Sequence, residues 1–179
     1  MRQAGRYMPQ YRKIRKQHDF KTCIYTPELV NQVTMLPITH FQPDAAILFS
    51  DILVIIDALG LDLVYKEKVG PIVTNPIRTP DDLKKLTDTH KKQTIDPIIQ
   101  GINACLSSLK PYNTPLIGFA GAPFTIASYM IEGHAIKDLK HTKTFYYTYP
   151  DAFNTLIKQI QSTICEFLIQ QAEAGVAAL

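Results

Sequence analysis

The chain has 179 residues, 46% hydrophobic and 20% charged, the make-up of a soluble packed domain. Its net charge of +3 is too mild and dispersed for a nucleic-acid binder. No stretch approaches the roughly 20 apolar residues of a membrane span, and the start lacks the apolar core of a secretory signal.

The first residues read Arg2-Gln3-Ala4-Gly5-Arg6-Tyr7. Guanidinium is planar, permanently ionised and donates paired hydrogen bonds to carboxylates. Two arginines four apart, around a glycine that lets backbone approach a ligand, suit a loop built on a polyanion. Charge alone also allows a solvated basic terminus. A basic helix is predicted over 11–20, with Arg12-Lys13-Ile14-Arg15-Lys16 supplying a solvated face. Thr26 and Pro27 open a second helix as cap and first helical residue, and Pro37 is expected to kink or end it.

Residues 45–49 form a short apolar run, read as a buried strand, which stops abruptly at Ser50-Asp51 before a helix through Leu59. In an α/β barrel, polar residues at the carboxyl ends of strands lie on the active-site face. The same two residues also suit an N-cap. Asp62 to Tyr65, with Gly70-Pro71, predicts a β-hairpin; Thr79-Pro80-Asp81-Asp82-Leu83 starts a short capped helix, and a longer helix covers 94–109, ending before Pro111.

A second buried strand is predicted over 116–119, running through a glycine-containing turn into a helix opened by Pro123. Tyr129 lies on that helix, as half-buried core or as a reactive group. A connector rich in Lys and Tyr leads to an amphipathic helix over 150–174, and Ala174-Gly175-Val176-Ala177-Ala178-Leu179 reads as a strand being entered. Strand and helix alternate without a run of consecutive strands, which predicts a parallel α/β sheet in one domain spanning 1–179. Cys23, Cys105 and Cys165 are odd in number and far apart, as expected of reduced thiols in the cytoplasm. His18, His40, His90, His134 and His141 lack metal-ligand spacing and are expected to be surface or structural.

Three segments taken together resemble the uroporphyrinogen decarboxylase family in order and approximate spacing. They are Met1 to Tyr7, Phe49-Ser50-Asp51-Ile52-Leu53, and Gly121-Ala122-Pro123-Phe124-Thr125 followed by Tyr129-Met130-Ile131-Glu132-Gly133. Ala58-Leu59-Gly60 and Gly70-Pro71 also fit. The resemblance runs from Met1 to Leu179 and covers about the first half of the family's enzyme. It implies a (β/α)8 TIM barrel, a fold of about 250 residues, with roughly the first half present and truncation expected at both ends.

The resemblance further implies decarboxylation of the four acetate side chains of uroporphyrinogen to give coproporphyrinogen, in porphyrin and heme biosynthesis. It implies no metal or other cofactor, and a homodimer. Asp51 matches the family's key aspartate, whose carboxylate accepts hydrogen bonds from the pyrrole N–H groups. Arg2 and Arg6 match the arginine pair that binds substrate carboxylates; the arginine at the Arg2 position has also been proposed as the acid that protonates the ring. Gln3 would assist that loop, and Tyr129 matches a tyrosine near the reacting acetate. Arg2, Asp51 and Tyr129 are thus the expected catalytic residues, and Arg2, Gln3, Arg6, Asp51 and Tyr129 the expected substrate contacts. Neither nucleic acid nor membrane is an expected partner.

The chain departs from the family pattern in three places. Phe124 stands where the family usually has Trp, and Ile56-Asp57 replaces a usual Pro-Gln. His134-Ala135-Ile136-Lys137 replaces a Gly-Ser-Lys run, which weakens a ligand-binding role for that loop. Two other readings stand beside the decarboxylase. One is a corrinoid-dependent methyltransferase of the same barrel superfamily, which binds zinc in its C-terminal half; the Arg2 to Arg6 loop argues against it. The other is an inactive truncated product acting only through dimer association.

Overall fold

The structure, a computed structural model, describes residues 7–67 and 69–179. The chain divides into two compact units. The first comprises the described residues through Asp51, Ile95–Ala120 and Phe167–Leu179; the second comprises Ile52–Thr94 and Gly121–Glu166.

In the first unit, helices α1 (Pro9–Gln17), α2 (Phe20–Tyr25) and α3 (Pro27–Phe41) precede strand β1 (Ala46–Ile47). The single helix expected over 11–20 is two. Asp19 interrupts it, because its carboxylate accepts the Thr22 amide at 2.7 Å and caps α2. That bond holds the Asp19 carboxyl below its ordinary range. On α1, Tyr11 and Ile14 are buried while Arg12, Lys13 and Lys16 face solvent, as the sequence predicts. Arg15 is the exception: its Nη1 donates to the His18 carbonyl, and its guanidinium lies over the Phe20 ring at 5.5 Å.

Pro37 does not end α3, which continues to Phe41. Proline lacks the N–H that would bond within the helix, but buried Val30, Val33, Thr34 and Ile38 hold the helix face on both sides.

The parallel sheet is the framework of this unit. Strand β1 pairs with β4 (Leu116–Ile117) in parallel, Ala46 opposite Leu116 and Ile47 opposite Ile117. The carbonyls of Pro115 and Ile117 accept from Ala46 and Leu48 on one edge of β4. On its other edge the Leu116 carbonyl accepts from Ala177, and Gly118 donates to Ala178. Residues 177–178 are thus a second parallel neighbour of β4, as the sequence of 174–179 predicts. Both named strands are two residues long, shorter than the five- and four-residue runs expected, because ladder bonds cease where each chain turns away. From Ile95 onward, α5 (Lys91–Leu109) packs Ile98, Ile102, Cys105 and Leu109 inward, and runs into a 3₁₀ turn, Lys110–Tyr112, that contains Pro111.

The second unit holds α4 (Val54–Ala58), β2 (Leu63–Lys66), β3 (Gly70–Val73), α6 (Pro123–Glu132), α7 (Lys140–Thr148) and the start of α8 (Pro150–Ala174). The predicted hairpin is present, with β2 and β3 antiparallel and Leu63 opposite Val73. The helix expected at Thr79 is a 3₁₀ segment, Pro80–Lys85, whose Asp82 accepts from the Thr79 amide at 2.8 Å and hydroxyl at 3.0 Å.

The Lys- and Tyr-rich connector is not a loop: it carries α7. Phe145 and Thr142 are buried on that helix, and its N-cap residue, Leu139, offers no side-chain cap. Glu132, at the end of α6, supplies one instead. It is 1% exposed, and its Oε1 accepts from the Thr142 amide at 2.8 Å and hydroxyl at 2.9 Å. Gly133 ends α6 in the left-handed conformation, φ 82°, that glycine adopts without strain.

All three cysteines are free; Cys23 and Cys105 are buried and Cys165 is exposed. Burial pushes the Cys105 thiol up to about 11 and raises Cys23 also. Iodoacetamide at about pH 8 therefore labels Cys165 alone in the native protein, and peptide mass spectrometry reads which thiol carries the adduct. Rapid native labelling of Cys105 would contradict the buried placement.

Candidate active site

Strand β1 delivers Leu48, Phe49, Ser50 and Asp51 in succession. Leu48 and Phe49 are buried, and Ser50 and Asp51 are half-buried. The segment is pinned just before the carboxylate. The Phe49 amide donates to the buried Thr34 hydroxyl at 3.0 Å. Its ring meets Tyr11 and Phe20 edge-on, with centroids 6.1 and 5.8 Å away. Neither Ser50 nor Asp51 is the cap of α4: that position falls to Leu53 and has no side-chain bond. With the capping role removed, Asp51 is a side chain at the carboxyl end of a parallel strand, where barrel chemistry sits. The Ser50 hydroxyl is buried and makes no hydrogen bond among the described residues.

The end of β4 is held by a residue whose part was not foreseen. Gln171 is completely buried. Its Oε1 accepts the Phe119 amide and its Nε2 donates to the Phe119 carbonyl, both at 3.0 Å. The side-chain amide acts as one more strand residue, closing the ladder where β4 turns into its loop. Gly118 lacks a Cβ at this point, and one would collide with the Gln171 amide oxygen.

The sequence carries a signal for this. The buried stripe of α8, Phe153, Leu156, Ile160, Thr163, Ile164 and Phe167, continues at helical spacing to Gln171. A polar residue on a buried stripe needs a polar partner. Gln171→Leu orphans both Phe119 groups, at about 1–3 kcal/mol each. A lowered urea midpoint with fast exchange of the Phe119 amide is the expected result. Unchanged exchange would mean the end of β4 is held otherwise.

In the second unit, Pro123 occupies the first turn of α6, as its position predicts. Gly121 precedes it because space is short: a Cβ there would stand 3.0 Å from Ile52 and 3.1 Å from Ile126. Tyr129 is half-buried on α6. Beside it, Ser128 turns its hydroxyl back onto the Phe124 and Thr125 carbonyls at 2.6 and 3.0 Å. Phe124 is exposed and packs against Phe153, centroids 6.3 Å apart.

Asp51 and Tyr129 belong to different units. Arg2, Gln3 and Arg6 lie outside the described residues. Among the described residues no group of three or more His, Cys, Asp or Glu side chains could hold a metal ion, and no helix is long and apolar enough to cross a membrane.

Comparison with known proteins places these features in a family. The family model described as uroporphyrinogen decarboxylase (URO-D) matches residues 1–179. A uroporphyrinogen decarboxylase of Roseiflexus sp. is 43% identical over all 179 residues, which make up 51% of its own length. Those of Protochlamydia amoebophila and Bacillus subtilis are 45% and 40% identical, with 48% and 50% of their lengths covered. The chain thus spans about half the length of the curated relatives it matches. Among solved structures, a methyltransferase from Methanosarcina mazei superposes with a TM-score of 0.61 at 16% identity, covering 85% of this chain and 44% of that one. That likeness concerns the fold alone, a (β/α)8 barrel of which this chain supplies part. With the family model matching every residue, the chain belongs to the uroporphyrinogen decarboxylase family.

Proposed function

We propose that the whole protein containing this chain decarboxylates the four acetate side chains of uroporphyrinogen, leaving methyl groups and giving coproporphyrinogen. The observation that carries the reading is the family match along all 179 residues. Loss of carbon dioxide leaves an electron pair that needs a sink, and the substrate's own pyrrole can be that sink. Protonation of a ring carbon puts positive charge on the ring nitrogen. The bond to the carboxylate carbon then breaks and its electron pair flows into the ring, neutralising the nitrogen and leaving an exocyclic methylene. That methylene takes a proton to become methyl as the ring carbon gives up the proton it had gained.

The chain's residues have three tasks in this scheme. Asp51 accepts hydrogen bonds from the pyrrole N–H groups, and its fixed charge favours the cationic ring before that charge forms, so nothing need reorganise at the reacting moment. Arg2 and Arg6, with Gln3, hold substrate carboxylates; Arg2 is also the candidate acid, although guanidinium with a pKa above about 12 is a reluctant donor. Tyr129 orients the leaving acetate through its hydroxyl. No step calls on a metal or an organic cofactor. The free thiols of Cys23, Cys105 and Cys165 support a reducing compartment, the cytoplasm. The protein is further proposed to be a single barrel domain that works as a homodimer.

The test is anaerobic conversion of uroporphyrinogen by the full-length protein, with products separated by chromatography. Coproporphyrinogen without added metal or cofactor is the expected product. Arg6→Ala should weaken apparent substrate affinity by about 1.5–3 kcal/mol through loss of a charge-assisted pair. A folded full-length protein that leaves the acetates untouched would overturn the reading.

A further inference from the structure

The second unit contains a cavity of about 430 Å³ lined by Arg78, Ile131, His141, Thr144, Phe145 and Tyr149. The proposed decarboxylation uses none of these residues. Positions 141, 144, 145 and 149 recur at helical spacing, which puts four lining residues on one side of α7 and its C-cap. Buried Ile131 and Phe145 make an apolar floor. The Tyr149 ring stands edge-on to Phe145, centroids 5.6 Å apart.

Arg78 provides the charge. One Nη donates to the Glu132 carbonyl at 3.0 Å, which anchors the guanidinium and leaves its other donors available. The neighbouring carboxylates do not pair with it, although Glu132 keeps a buried Oε2 without a hydrogen bond among the described residues. Asp82 accepts the Arg78 and Thr79 amides and pairs with Lys85 at 2.7 Å, and Glu132 gives Oε1 to Thr142. Among the described residues no carboxylate pairs with Arg78. A guanidinium without a counter-ion, beside an apolar recess that also carries an imidazole and a phenol, is a recognition arrangement. The volume falls within the roughly 300–1,000 Å³ of small-molecule pockets, in which a few polar groups orient an apolar body.

We propose that this cavity binds a small organic carboxylate with a flat apolar body, the carboxylate on Arg78 and the body against Ile131, Phe145 and Tyr149. A single arginine in mostly apolar surroundings suits a monoanion with an apolar body.

Benzoate is the probe, titrated into the ¹⁵N-labelled full-length protein and followed by amide shifts. Saturable shifts at Arg78, Thr144 and Phe145 are expected, with benzamide, of the same shape but uncharged, binding at least tenfold more weakly. Thr144→Trp, an exposed position, should fill the recess and abolish the shifts while the melting curve stays native. Arg78→Gln should weaken benzoate at least tenfold. Absence of saturable binding, equal affinity for benzamide, or benzoate shifts that persist in a folded Thr144→Trp would each overturn the proposal. The benzamide comparison needs no variant, so it decides even where a substitution disturbs folding.

Discussion

Asp51→Asn in the full-length protein is expected to lower uroporphyrinogen turnover by roughly 10²–10³-fold, the range for removing one preorganised electrostatic group, with an unchanged melting temperature. Asparagine keeps the size of the side chain and one acceptor oxygen, so the half-buried position is still filled. What it loses is the negative charge. On the proposed reading, that charge matters most when the pyrrole becomes cationic. The loss should therefore appear in kcat, with a smaller change in KM. The position itself should stay put, because the Phe49 amide is tied to Thr34 and its ring is wedged by Tyr11 and Phe20. Turnover near that of the parent would remove Asp51 from the mechanism and leave its placement after β1 as a matter of packing.

Glu132→Ala should strongly destabilise the second unit. It removes both bonds to Thr142, and hydrogen bonds to charged groups are worth about 1.5–3 kcal/mol each. It also withdraws negative charge from the N-terminus of α7, where the helix dipole favours it. A loss of about 3–5 kcal/mol is expected from these terms, read as a lower urea midpoint with early amide exchange along α7. Glu132→Gln keeps an acceptor for Thr142 and should cost less. Ala and Gln variants of equal stability would show that Phe145 burial, rather than the cap, holds α7.

Much of this molecule is written in short-range chemistry. Pro27 and Pro123 sit in first helical turns, as their fixed φ requires. The hairpin closes where Gly70-Pro71 follows an alternating run. Helix α8 spans Pro150–Ala174, the bounds its apolar periodicity predicts. Family membership was legible for a similar reason: the Arg2 to Tyr7, Phe49 to Leu53 and Gly121 to Gly133 segments are contiguous stretches, readable without knowing what they touch.

Pro37 shows where local signals mislead. A proline breaks an isolated helix, but a helix whose neighbouring turns are buried can forgo one backbone bond, and α3 does. Asp19 misleads the other way, since a two-residue gap opens where its carboxylate finds the Thr22 amide. The α7 segment looked like a polar connector because its helix depends on a cap from another element. The sequence by itself determined the family, the alternation of strand and helix, and Asp51 as a carboxylate at a strand end. Only tertiary structure decided that Asp51 does not cap α4, that Glu132 starts α7 and that Gln171 completes the ladder of β4. Each of these turns on where a polar group finds its hydrogen-bond partner. For Glu132 and Gln171 that partner lies 10 and 52 residues away, beyond the reach of any local pattern.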